Sequence, residues 1–226
     1  MALSVIIPSR RASNLLACIA AIRMHDPYCG RIIVVDDGAR EQIERRGLNL
    51  GVEWVEAGER PFVFARAVNR GIAAAGEDDV VLMNDDAELL TSRGLTKLAE
   101  RGRSEDWSVL AAAVRGDVGN RMQAWGGRRF PVALEQVCFI CVWISRDTIN
   151  RVGLLDERFV AYGFDDDDYC LRARLAGGRV GVWDGCVVAH GRLPHTFSRS
   201  RRDFELGREI FRRKWEGGAT WTNASE

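Results

Sequence analysis

The stretch VVLMNDDAEL, Val80 to Leu89, ends an apolar run in an amide and two carboxylates: Asn84, Asp85 and Asp86. Acids clustered at the mouth of a core must be solvated, protonated or neutralised by a cation. Amide and carboxylate oxygens are hard ligands that suit Mg2+ or Mn2+, ions that complete their shells with water and substrate phosphates. A lone Asp pair has a blander reading as a solvated turn. Two further acid clusters weigh against it here. RIIVVDDG ends in Asp36 and Asp37, which can accept hydrogen bonds from a ribose or a base. FDDDDY sets four carboxylates side by side, Asp165 to Asp168. A helix N-terminus accounts for roughly two of them, because the dipole offers only about 0.3–1 kcal/mol per charge and fades within the first turn. Crowded carboxylates raise one another's pKa, which equips one of them as a general base near neutral pH. His190, after VVA, reads either as a satisfied strand-end histidine or as a neutral imidazole ligand to the same cation.

The elements that must hold these residues follow from the apolar pattern. LSVIIP reads as a strand stopped by Pro8, and SNLLACIAAIRM as a helix capped by Ser13. RIIVVDDG and VEWV are the next strands, PFVFARAVNRGIAAAG is a helix with Pro61 near its start and Gly76 past its end, and VVLMNDD is the fourth strand. Continuous apolar strands separated by helices predict an α/β fold with a mostly parallel central sheet flanked by helices. Ligands of such sheets bind outside the carboxyl ends of the strands, so PSR, DDG and NDD converge on one crevice. The second half carries WSVLAAAV, the polar RGDVGNRMQAWGGRRF, the strand QVCFICVWIS, the acid run, RVGVW, VVAH and an arginine-rich tail. With no repeat or linker, the expectation is one domain over 1–226: a nucleotide-binding half at 1–90, an acceptor and catalytic half at 91–195, and a basic helical tail at 196–226.

Composition sets the outer bounds. A chain of 226 residues, 46% hydrophobic and 28% charged, can bury a substantial core. Basic and acidic residues balance at 32 each, so no overall field selects an anionic partner. No apolar run approaches the roughly 20 residues that span a bilayer, and MALSVIIPSRR reverses the charge order of a secretory signal, so a cytoplasmic location is expected. The six scattered cysteines read as reduced, buried thiols. The C-x-x-C of VCFICVWIS falls in an expected strand, where residues three apart face opposite ways, against a shared metal or disulfide. PSRRASN lacks the glycine fingerprint of a dinucleotide-dependent oxidoreductase. A receiver-like signalling domain, which also gathers aspartates around Mg2+, leaves the second half without a purpose.

SVIIPSRR, VVDDG, FARAVNRGIAAAGEDDVVLMNDDAEL, GLLDERFVAYGFDDDDYCLRARLAGG and VVAHG, in this order, resemble the GT-A glycosyltransferases of family 2, nearest the rhamnosyltransferase-like branch. The resemblance runs from about Leu3 to His190, and FRRKWEGG is similar to that branch's ending. It implies the GT-A fold and inverting transfer of a sugar from a UDP, GDP or dTDP donor to an acceptor hydroxyl, with Mn2+ or Mg2+ as cofactor. By position it implies that Pro8, Ser9, Asp36 and Asp37 hold the nucleoside, with Arg66 and Asn69 lining the same pocket. Asn84, at the first acid of a D-x-D pattern, and Asp85 would face ribose and sugar. Asp86 would bind the cation, with His190 joining it. Asp166 would be the base, with Asp165 beside it and Asp168 supporting the loop. RGDVGNRMQAWGGRRF and the tail suit an anionic glycan, a lipid-linked diphosphate or nucleic acid as acceptor, or else form a solvated face balanced by Asp203, Glu205 and Glu209. The alternative is a nucleotide-sugar-binding protein of the same fold without catalysis.

Overall fold

A computed structural model describes residues 2–160, 163–196 and 200–215. The chain runs β1 (Leu3–Ser9), α1 (Ala12–His25), β2 (Arg31–Asp36), α2 (Ala39–Glu44), β3 (Glu53–Glu56), α3 (Phe64–Ala75), β4 (Asp79–Met83) and β5 (Ala87–Leu89). It continues through α4 (Gly94–Ser104), β6 (Val109–Gly116), β7 (Val132–Ala133), β8 (Cys141–Ile144), α5 (Arg146–Val152), α6 (Asp165–Leu175), β9 (Val180–His190) and α7 (Arg201–Trp215). All strands join one sheet in the order β3-β2-β1-β4-β8-β6-β9-β5, with β7 against β9. The first four strands are mutually parallel, as the strand-helix alternation predicts. Beyond β4 the sheet is mixed: β8 is antiparallel to both neighbours, β6 and β9 are parallel, and β5 is antiparallel to β9.

Continuous apolar strands can be buried on both faces because successive side chains point to opposite sides. In β1, Val5 and Ile7 enter one core while Ile6 enters the other, and β4 divides Val81 and Met83 from Val80 and Leu82 in the same way. Helices α1 and α4 cover the first core, and α3, α5 and α6 the second. The close packing has one clear steric condition. A Cβ on Gly102 of α4 would lie 2.3 Å from the Trp143 ring, so that helix can approach the sheet only with glycine there.

Several local expectations shift. Helix α1 begins at Ala12 with Arg11 at the cap and no side-chain cap, so Ser13 sits inside the first turn. The strand expected over QVCFICVWIS shortens to Cys141–Ile144, leaving Cys138 outside it, and the opposite-faces argument against that C-x-x-C does not apply. All six cysteines are free; five are buried, and Cys138 is half-buried. RVGVW and VVAH form one strand, β9, with a bulge against β6 between Ala112 and Ala113. The bulge presents Asp184, which accepts the Arg128 guanidinium at 2.7 Å and the backbone N–H groups of Gly126 and Arg128. Part of the arginine-bearing loop is therefore tied to the sheet.

The described part of the arginine-rich tail is a docked helix. Phe204 and Phe211 of α7 pack on Phe164, with centroids 5.0 and 5.7 Å apart. Lys214 is buried between Asp156 at 2.7 Å and Asp168 at 2.6 Å, and the Trp215 indole N–H donates to Asp168 at 2.9 Å. Arg172 of α6 takes the other Asp168 oxygen at 2.9 Å. Arg208–Glu205 and Arg213–Glu209 pair on the outer face, as the solvated-face reading expects. The end of FRRKWEGG, and positions 216–226 of the expected tail, lie outside the described residues. No helix among the described residues is long and apolar enough to cross a membrane.

Removing one partner of a buried ion cluster leaves uncompensated charge, so Lys214→Met should destabilise the fold by roughly 3–5 kcal/mol. Arg213→Ala, an exposed pair member, should cost at most about 0.5 kcal/mol. Urea denaturation of both variants checks the contrast.

Candidate active site

A crevice of about 760 Å³ opens at the carboxyl ends of the parallel strands, and Asn84, Asp85, Asp86, Asp165, Asp166 and Asp167 all line it. Register brings Asp86 to its partners. After β4 the Asn84 N–H donates to the Ile140 carbonyl at 2.9 Å, the chain turns, and β5 pairs with β9 so that Ala87 lies opposite His190. On the other side of β9, Gly116 is His190's partner. A Cβ on Gly116 would lie 2.2 Å from the His190 carbonyl oxygen, so this approach requires glycine. Gly191, at φ +85, then turns the chain back toward the crevice, where it delivers His195.

The histidine geometry limits the chemistry. His190 Nδ1 lies 2.7 Å from the Asp117 carbonyl, an acceptor only, so this nitrogen carries the proton. Nε2 then faces Asp86 Oδ1 at 3.4 Å. In a neutral ring that sets a lone pair against a carboxylate, and the arrangement needs a positive charge, either a proton on Nε2 or a cation between the two atoms. His195 reaches the same carboxylate, with Nδ1 2.9 Å from Asp86 Oδ2 and Nε2 3.4 Å from Asp117 Oδ2. One ligand atom each from Asp86, His190 and His195 lie within 4.8 Å of one another, a set that fits a divalent cation. Burial would raise the Asp86 pKa, but the hydrogen bonds from His190 and His195 outweigh it and hold the carboxyl below its usual range. A ring Nδ1 bond to a carbonyl, as His190 makes, is the kind of outer contact that accompanies imidazoles bound to metals.

The other expected residues divide. Asp85 is buried with both oxygens engaged, accepting from Ser9 Oγ at 2.6 Å and Thr196 Oγ1 at 2.5 Å, and burial pushes its pKa up to about 6. Asp36 Oδ1 accepts the N–H groups of Gly38 and Arg40 at the start of α2. Asp37 holds Arg10 at 2.6 Å and Arg60 at 2.8 Å, and Arg10 lines the crevice. Pro8 lies within β1, opposite Val35. Arg66 donates to the Pro61 carbonyl at 3.4 Å. Asn69 departs from its expected place in a pocket. Its amide donates to the Leu155 carbonyl at 2.9 Å and to Glu157, and accepts the Leu155 N–H at 2.9 Å, tying α3 to the segment before α6. Neither Arg66 nor Asn69 lines the crevice.

The acid run divides three to one. Phe164 takes φ +72 at the cap, and α6 begins at Asp165. Asp165, Asp166 and Asp167 reach the crevice, whereas Asp168 is fully buried beneath α7. Burial raises all three crevice carboxyls, that of Asp167 to about 7. Asp166 also accepts backbone N–H groups from Asp167 and Phe139, which fix its direction and oppose the rise.

Sequence reasoning missed His195, Thr196 and Asp117. The available signal was thin: the chain has three histidines, and two stand five residues apart around Gly191 and Pro194.

The sheet order, the crevice and its acids define a GT-A fold, and solved structures share it. The crystal structure of GalNAc-T7 with UDP, GalNAc and Mn2+ superposes with a TM-score of 0.72 over 93% of this chain and 48% of that one, at 14% identity. S. aureus TarS gives 0.70 over 99% of this chain and 41% of that one, also at 14% identity. Residues 4–151 match the family model described as Glycosyl transferase family 2, and the chain belongs to that family. A curated relative, the uncharacterized protein y4gI of Sinorhizobium fredii (strain NBRC 101917 / NGR234), is 27% identical over 257 residues. That match covers 94% of this chain and 27% of the relative, so the chain spans about a quarter of that relative's length.

Because Asn69 satisfies both backbone groups of Leu155, Asn69→Ala should destabilise by about 2 kcal/mol through unmade hydrogen bonds. Nucleotide-induced thermal shifts should be unchanged. A lost nucleotide response at unchanged stability would restore the pocket role.

Proposed function

We propose that this domain is an inverting glycosyltransferase that moves a sugar from a nucleoside diphosphate to an acceptor hydroxyl with a bound divalent cation. The observation that carries the reading is the Asp86, His190 and His195 cluster, whose Asp86 and His195 line one crevice with Asp165, Asp166 and Asp167. Asp86, His190 and His195 would hold the ion, and two imidazoles beside one carboxylate favour Mn2+ over Mg2+. When bound, the cation neutralises the diphosphate leaving group. The neighbour solved with UDP, GalNAc and Mn2+ supports a nucleotide-sugar donor and that ion. The sequence motifs favour the rhamnosyltransferase-like branch within the family.

Asp166 is the proposed base. Its carboxylate accepts the proton of the acceptor hydroxyl while that oxygen forms its bond to the anomeric carbon on the face opposite the departing diphosphate, so configuration inverts. Burial keeps the proton affinity of its carboxyl high. The Asp37–Arg10 pair supports the nucleotide side of the crevice.

The wall beside the base is acidic and apolar, with Asp203, Val160 at 54% exposure and Phe204 at 42% exposure. Carboxylates repel polyanions, and aromatic faces suit the apolar side of a sugar ring, so an uncharged sugar acceptor is favoured over a phosphate-rich polymer or nucleic acid. Arg121 is the basic side chain on this acceptor side.

Thermal-shift measurements with UDP, GDP and dTDP sugars, with and without Mn2+, test the reading. A Mn2+-dependent rise with one nucleotide is expected, because a ligand of the folded state alone raises the melting temperature. No rise with any of them contradicts it. Asp166→Asn should abolish transfer and keep that thermal shift. For the wild type, a base with a raised pKa must lose its proton to act, so kcat/KM should fall as pH drops through an acid limb above the ordinary carboxylate range. A limb near pH 4 would remove Asp166 from the role.

A further inference from the structure

His195 stands outside any helix or strand, on the strap Gly191 to Thr196, and its side chain is 35% exposed. The strap's far end is tightly held. Asn14 of α1 donates through Nδ2 to the Pro194 carbonyl at 2.8 Å and to Thr196 Oγ1 at 3.0 Å. Thr196 Oγ1 passes its single proton to Asp85 Oδ1 at 2.5 Å, and Ser9 Oγ of β1 donates to the other Asp85 oxygen at 2.6 Å. The chain of donors runs one way, from amide to hydroxyl to carboxylate, and all four side chains are buried. A side chain engaged in this manner is unlike one kept open for a ligand.

We propose that Asp85, Thr196 and Asn14 form a clasp that positions His195 as the third cation ligand, and that Asp85 is a positioning residue rather than a donor-sugar contact. The inference rests on the cation reading of Asp86, His190 and His195. The central acid of NDD anchors the strap to α1 and β1 while its neighbour Asp86 faces the ion. Without the clasp, the strap that carries His195 loses its hold on α1 and β1, and the site would fall back on Asp86 and His190. Losing an orienting partner of this kind typically lowers metal affinity about 10- to 100-fold.

Titration of the intact chain with MnCl2 alone, followed by calorimetry, tests this without recourse to activity. Asp86→Ala should remove binding. Thr196→Val should weaken it about 10-fold or more, and Thr196→Ser, which restores the hydroxyl, should recover most of the affinity. In a His195→Ala background, Thr196→Val should have no further effect, since the clasp acts through that ring. Should Thr196→Val fail to fold, Asn14→Ala loosens the same strap and carries the same expectation. Wild-type Mn2+ affinity in Thr196→Val, or an equal loss in the His195→Ala background, overturns the clasp and leaves the cation site standing. Absence of Mn2+ binding in the wild type, or unchanged binding in Asp86→Ala, overturns the cation site and the clasp together.

Discussion

A carboxylate that faces two imidazole nitrogens at the mouth of a core requires positive charge, and the rest of this structure is arranged around that requirement. Asp86 is buried beside His190, whose other nitrogen is committed to a carbonyl, and beside His195. Desolvation alone would raise the Asp86 pKa; the two histidines outweigh that and lower it. The parallel strands supply the rim, the β5–β9 pairing sets Asp86 beside His190, and glycines at 116 and 191 permit the approach and the turn. Each of these features has a purpose if a cation and a diphosphate meet there.

The second half of the chain closes the crevice by charge as much as by apolar contact. Asp168 belongs by sequence to the acid run, but it faces away from the crevice and joins Arg172, Lys214 and Trp215 in a buried cluster that seats α7. Phe164, held at positive φ, meets Phe204 and Phe211 of the same helix. One six-residue stretch, Phe164 to Tyr169, thus provides both the acids that line the crevice and the anchor of the wall beside them. Pairing like this fixes geometry more than it adds stability, because desolvation offsets much of the attraction between buried ions.

The first half of the fold was legible because its rules are local. Apolar runs stopped by polar residues gave β1, β2 and β4, and the shared rim followed from parallel connection. The second half resisted because bulges and antiparallel insertions, such as β8 between β4 and β6, depend on partners far along the chain. At the site, residue types carried over better than orientations. Asp86 and His190 approach to 3.4 Å, whereas Asn69, expected in the nucleotide pocket, turns toward Leu155. His195 and Thr196 were invisible for the same reason, since the bond from Thr196 to Asp85 spans 111 positions and no spacing rule reaches so far. The tail read as basic, either an anionic-acceptor surface or a solvated face; Arg208 and Arg213 pair in solvent, and the buried Lys214 shows how one charge in such a run can turn inward when two carboxylates await it.

The most direct test of the central claim is the location of the cation itself. Crystals soaked in MnCl2 and UDP, measured at the manganese absorption edge, should show one anomalous peak bonded to Asp86, His190 and His195, with the diphosphate completing the shell. Density for UDP with no peak among those three side chains, or a peak elsewhere in the crevice, would contradict the account.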